Sequence, residues 1–137
     1  MKKLIVLCFL MIPMLGMTAD SSAYDKPIVI SSLLKKPLAA VLHGMNDHGW
    51  IVKDQKPGQV VALLDYRQRQ ITVDINYTKN EISFAPVSSR KLNCSGTAEQ
   101  CPIEDAYYQA WRSNLRSSIK NAADDMTKKA MKALEKE

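Results

Sequence analysis

Between Gln70 and Tyr77 the chain alternates without a break: Ile71, Val73, Ile75 and Tyr77 are separated by Thr72, Asp74 and Asn76. Successive side chains of an extended strand point to opposite faces, so this pattern specifies a strand with one dry face and one wet face. A sheet sealed on one side only is a property of antiparallel architectures. The flanking sequence extends the pattern. Extended segments are expected at about 50–56, 59–67, 70–78 and 81–87, with Pro57-Gly58 as a turn in which proline sets φ and glycine accepts a positive φ.

Polarity matching sets the register. With Lys79-Asn80 as a two-residue loop, Thr78 faces Glu81, Tyr77 faces Ile82 and Ile75 faces Phe84. With Gln68-Arg69 as the preceding loop, Tyr66 faces Ile71, Leu64 faces Val73 and Ala62 faces Ile75. A slip by one residue would drive Thr72 and Asp74 into the core. The expected dry face is therefore Val60, Ala62, Leu64, Tyr66, Ile71, Val73, Ile75, Tyr77, Ile82 and Phe84.

Helical periodicity brackets this meander. Leu38, Val41, Leu42 and Met45 recur at i, i+3, i+4 and i+7, with Pro37 suited to the first turn and Gly49 to the stop. A second helix is expected from near Pro102, with Glu104 and Asp105 in its first turn favoured by the helix dipole. Its stripe is Tyr108, Trp111, Leu115 and Ile119, and it should cover the dry face. Residues 120–137 are rich in Ala, Lys and Glu, with a thin apolar stripe of Ala122, Met126, Ala130 and Ala133. They read as an exposed helical extension. The expected fold class is thus α+β in two layers: helix, four-stranded antiparallel meander, helix and helical tail. The domain proper spans 37–119, and the arm at 24–36, with the apolar patch Ile28-Val29-Ile30, reads either as a short strand or as a tether.

The first 23 residues follow a different logic. Lys2 and Lys3 precede an apolar run from Leu4 to Leu15, then a short polar stretch with Ser21 and Ala23 placed for a cut before Tyr24. That order describes a cleaved secretory leader. The run is shorter than the roughly 20 residues of a spanning helix and is interrupted by Pro13. Cys8 lies too early to be a lipid-attachment site. The expected destination is the periplasm or the medium. Excision removes Lys2, Lys3 and Asp20, so the formal charge falls by one from +5. In an oxidising compartment the remaining cysteines, Cys94 and Cys101, are expected to form a disulfide around a polar loop.

The string Gly49-Trp50, Pro57-Gly58, Ala62-Leu63-Leu64-Asp65-Tyr66-Arg67, Val73-Asp74-Ile75-Asn76-Tyr77, Ser89, Leu92-Asn93, Tyr108-Gln109-Ala110-Trp111 and Leu115 resembles a family of small proteobacterial envelope proteins, many of them classed as lipoproteins. The resemblance covers roughly residues 38–119. It implies a helix, an antiparallel meander and a closing helix, and it implies no catalytic residues. The chain departs from the pattern in lacking a lipidation cysteine, in its cysteine-bracketed loop and in its Lys/Ala-rich tail.

Candidate chemistry is sparse. His43 and Asp47 share a helix face but lack a third ligand, so no metal is expected. Asp54, Asp65 and Asp74 share the wet face by parity, where carboxylates are ordinarily solvated; acid–base work would need a partner in a pocket. No nucleophile elbow, phosphate-binding glycine loop or HExxH is present, and no cofactor is expected. The chain reads as a non-enzyme. Lys128, Lys129, Lys132 and Lys136 form a basic strip that suits anionic headgroups or other envelope polyanions, and nucleic acid is not an expected partner for an exported chain of modest charge. The wet face is unusually apolar, carrying Val61, Leu63 and Ala85 and, by the same register, Trp50 and Val52. Either the arm with Ile28 and Ile30 folds over it, or it docks another envelope protein or a second copy, with Trp50, Val61 and Leu63 as contacts. The functional expectation is a non-catalytic binding or envelope-support module. A small exported enzyme, or an inhibitor or toxin-like effector, is the alternative.

Overall fold

A computed structural model describes residues 22–137. All but the last two residues of the expected leader lie outside the described residues. The chain order is a 3-10 turn at Ala23–Asp25, β1 (Ile28–Val29), α1 (Pro37–Asp47), β2 (Ile51–Lys56), β3 (Gln59–Tyr66), β4 (Arg69–Tyr77), β5 (Glu81–Lys91) and α2 (Asp105–Glu135). The fold class is α+β. The sheet is antiparallel in the order β1-β5-β4-β3-β2, so the meander is the expected one with a fifth strand added at one edge.

The dry face is sealed as the alternation requires. Val60, Ala62, Leu64, Ile71, Val73, Ile75, Ile82 and Phe84 are all buried in one cluster with Val41, Met45, Leu115 and Ile119 of the two helices. Tyr77 is half-buried, whereas Tyr66 remains exposed at the strand end. The β4–β5 register agrees with polarity matching: Tyr77 pairs with Ile82 and Ile75 with Phe84. The β3–β4 loop is corrected by one residue. Tyr66 pairs with Arg69, Leu64 with Ile71 and Ala62 with Val73, so the two-residue loop is Arg67-Gln68. The side-chain parity is unchanged, because each β3 residue's partner moves by two positions, Leu64 from Val73 to Ile71. Arg67 and Gln68 take φ of 49° and 60°, the left-handed values that a tight hairpin turn requires and that non-glycine residues adopt at a cost of about 1–2 kcal/mol each. The turn is tied down locally: the Leu92 N–H donates to the Gln68 carbonyl at 2.8 Å and Arg69 to the Arg67 carbonyl at 2.9 Å.

The arm does not lie over the wet face. Ile28 pairs with Ile82 on the dry side, and the Ile30 N–H donates to the Asn80 carbonyl at 2.9 Å. Ile28, Ile30 and Leu34 therefore extend the sealed core sideways. The start of the arm is fastened to α2. Asp25 pairs with Arg112, which is 1% exposed, and the Arg112 guanidinium also donates to the Tyr108 hydroxyl at 2.7 Å and sits over the Tyr24 ring. A buried guanidinium needs such a carboxylate.

The helices cross at a single tight point. A Cβ on Gly44 would stand 2.5 Å from the Ile119 backbone nitrogen, so only glycine lets α1 approach this closely. α2 begins at Asp105 rather than near Pro102, and Ile103 is buried ahead of it. It runs unbroken to Glu135. Its last turns, from Lys128 on, leave the body of the domain, with Met131 and Leu134 exposed.

Candidate functional site: an open sheet face and an aromatic cleft

The face opposite the core has no element packed over it among the described residues. Its rows run across the strands. Ile51 stands beside Leu63, which faces Thr72 and then Ser88; Asp54 stands beside Val61, which faces Asp74 and then Ala85. Val61 and Leu63 are half-buried by their neighbours, whereas Ile51 is 57% exposed. The sheet edges are blunted. β2 is broken by an irregularity between Val52 and Asp54 and carries Lys53, Asp54 and Lys56. β1 is two residues long and follows Pro27. Charge, bulges and brevity are the usual protections against strand addition.

Trp50 is corrected. It precedes β2, is 4% exposed and belongs to the core cluster, so it is not a contact on the wet face. Its place on that face is taken by Ile51. An indole before the first strand of a two-layer domain gains more from the space between layers than from the solvated side. The three aspartates are not brought together. Asp54 and Asp74 lie on either side of β3, about 9–10 Å apart by strand spacing, and Asp65 falls in another row. His43 and Asp47 are exposed, and no group of three metal-ligating side chains forms among the described residues. Lys128, Lys129 and Lys132 are exposed on the tail. Cys94 and Cys101 form the expected disulfide, with their Cα atoms 5.9 Å apart.

Sequence reasoning missed a cleft where three elements end together. His48 and Gly49 come from the end of α1, Trp50 from the link to β2, Leu64, Asp65 and Tyr66 from the end of β3, and Trp111 and Asn114 from α2. The cleft is partly open to solvent and its volume is about 360 Å³. Tyr66 and Trp111 meet edge to face, 5.8 Å apart with planes at 88°. Tyr107 stacks on Trp111 at 5.5 Å. Two cations border this wall: Arg67 lies over Tyr66 at 5.1 Å and Arg69 over Tyr107 at 4.9 Å. The Trp50 indole N–H is buried and has no hydrogen-bond partner among the described residues. The one available signal was positional: Trp50, Tyr66 and Trp111 each sit at or near the end of an apolar pattern.

An ion network braces the rim. Glu104 accepts from Arg69 through both carboxylate oxygens, at 2.8 and 3.0 Å, and from Lys91 at 2.7 Å. The hydrogen bonds from Arg69 and then Lys91 hold the Glu104 carboxyl well below the usual carboxylate range. The Lys91 N–H donates to the Cys101 carbonyl at 2.9 Å, so the disulfide loop and the start of α2 are clamped to the same corner of the sheet.

No helix of the described residues is long and apolar enough to cross a membrane. No family model, curated protein or solved structure matches the chain.

Proposed function

We propose that the chain is a non-catalytic binding module of the cell envelope, exported through a cleaved leader, that docks a partner protein on the open sheet face. The observation that carries this reading is the contiguous apolar group of Ile51, Val61 and Leu63 on a face that no described element covers. Burying such a group against a partner gains roughly 25 cal/mol per Å² of apolar surface. The aspartates specify the partner's chemistry. Asp54 and Asp74 flank Val61, so the partner presents apolar side chains beside cations. A second copy laid face to face would set like charges against each other. The blunted edges favour docking by the face over strand addition. The exposed lysines Lys128, Lys129 and Lys132 favour a location near anionic headgroups.

The test is a photo-crosslinker at position 61 in intact cells, with Leu63→Asp as the companion variant. The reading predicts a discrete adduct with a second protein. It also predicts that Leu63→Asp removes the adduct while the urea midpoint of the purified domain stays near wild type. An unfolded Leu63→Asp variant would place Leu63 in the core, and a wild-type chain without an adduct would remove the partner. An adduct of twice the chain mass would replace the partner by a second copy.

A further inference from the structure

We propose that the groove at the start of α1 binds one acyl chain of an anionic amphiphile, a fatty-acid-like molecule taken singly and not as part of a bilayer. The groove is at the other end of α1 from the aromatic cleft. The argument stands apart from the docking face, since it uses none of Ile51, Val61 and Leu63, and either reading can fail alone.

Two clefts meet here. One, about 390 Å³ in volume, is lined by residues 35–39, Leu42 and Tyr77. The other, about 370 Å³, shares Leu38 and Tyr77 and adds Gln55, Lys56 and Pro57. Each falls within the ~300–1,000 Å³ typical of small-ligand sites. Leu38 and Leu42 stand one helical turn apart on the same face of α1, and Tyr77 ends β4. All three pack against the core cluster and remain half-buried. The Tyr77 N–H donates to the Gly58 carbonyl at 2.9 Å, which fastens the β2–β3 turn to the end of β4. A run of apolar side chains left open along one side suits a hydrocarbon chain, which brings no polar group that needs a partner.

The head group is assigned from charge. Every charged residue lining the two clefts is a lysine: Lys35, Lys36 and Lys56. All three are exposed, and the ion pairs among the described residues use Arg69, Lys91, Arg112 and Lys120 instead. The first turn of α1 carries no acidic side chain, so the positive end of the helix dipole adds to the same field. Free ammonium groups around an apolar floor complement a carboxylate, sulfate or phosphate on a hydrocarbon chain and repel a cationic head. Lysine stems lie along apolar surface while their ammonium groups stay in water, where the head would sit. A second copy is another occupant that an apolar groove can take. It is disfavoured because pairing two such grooves about a two-fold axis would set their lysines against each other.

The chain from Tyr24 onward, which holds every strand and both helices, is titrated below micelle formation with hexanoate, octanoate, decanoate and decyltrimethylammonium. Nitrogen–proton NMR spectra follow the titration. The proposal predicts that decanoate at about millimolar concentration shifts the amide signals of Leu38, Ala39, Leu42 and Tyr77 and leaves those of Val61 and Leu63 in place. Affinity should rise about fourfold for each two added methylenes, because a groove open on one side covers about half of each. Decyltrimethylammonium should bind roughly tenfold more weakly than decanoate. Lys35→Glu, Lys36→Glu and Lys56→Glu combined in one chain should reverse that preference, with the remaining spectrum unchanged because the positions are exposed. Unmoved groove signals at about 10 mM decanoate would overturn the proposal, as would shifts confined to Val61 and Leu63. Equal affinity for decyltrimethylammonium, or an unchanged preference in the triple variant, would overturn the anionic head group. Groove signals that move with phosphatidylglycerol vesicles but not with decanoate would replace the single chain by a bilayer surface.

Discussion

The two faces of the sheet are made by the same strands, one residue out of step, and they have opposite fates. Val60, Ala62 and Leu64 on β3 are buried beneath the helices, whereas Val61 and Leu63 between them face outward beside Ile51. Apolarity alone does not decide which side closes, because both sides of β3 are apolar. β4 decides it. There the outward set is Gln70, Thr72, Asp74 and Asn76, and a helix laid over those side chains would have to leave Asp74 charged and dehydrated. A single strongly alternating strand thus orients its less decisive neighbours through the shared register.

That contrast can be broken from the sealed side first. Ile75→Ala, at a fully buried position, is expected to cost about 2–5 kcal/mol, read as a fall in urea midpoint at unchanged slope. A comparable loss from Val61→Ala would erase the distinction between the faces. The next largest effect tests how the sealed side is closed. Gly44→Ala puts a methyl group against the Ile119 backbone, and overpacking of that kind costs about 1–3 kcal/mol. Because the Ile119 main chain is in the way together with its Cγ1, and valine keeps a γ carbon, Ile119→Val should restore little of it in a double-mutant cycle.

Two smaller effects belong to the corner where the faces meet. Replacing both Cys94 and Cys101 by serine opens a short loop and is expected to cost about 2 kcal/mol through loop-closure entropy, seen as a lower thermal midpoint with the sheet signals of NMR spectra in place. Glu104→Gln should have the smallest effect, and its sign depends on pH. The carboxyl of Glu104 is depressed in the folded state by Arg69 and Lys91. Its contribution is therefore fully present above the ordinary carboxylate pKa of about 4.3 and is lost as pH falls below that value toward the folded pKa. The variant should be less stable than wild type at pH 7, and the difference should shrink on acidification. A difference that grows as pH falls would contradict the assignment.

The legible part of the fold was the part carried by local alternation. The pairing of Ile75 with Phe84 followed from polarity because both strands announce their faces. The Arg67-Gln68 loop did not, since two non-glycine residues with positive φ contradict local preference and are held in part by Leu92, 24 residues further along the chain. β1 was illegible for a related reason: two residues have no period, and Ile28 becomes a strand residue only through Ile82. Trp50 and Val52 were misassigned by counting in twos across the irregularity between Val52 and Asp54, which pairs Val52 with Ala62 and leaves Ile51 beside Leu63 on the open face. The cleft lies beyond any local pattern, because His48, Tyr66 and Trp111 meet only once α1, β3 and α2 are packed.

The parity of β3 can be tested one residue at a time by thiol labelling. Among the described residues the native cysteines are paired in the disulfide, so in a chain that starts at Tyr24 Val60→Cys and Val61→Cys each introduce a single free thiol. In native buffer the account predicts that Val61→Cys, half-buried on the open face, reacts with iodoacetamide directly from the folded state, while Val60→Cys, reachable only through opening of the core, reacts on the order of 100-fold more slowly. Equal rates at the two positions, or a protected Val61→Cys beside a reactive Val60→Cys, would contradict a sheet closed on one side and open on the other.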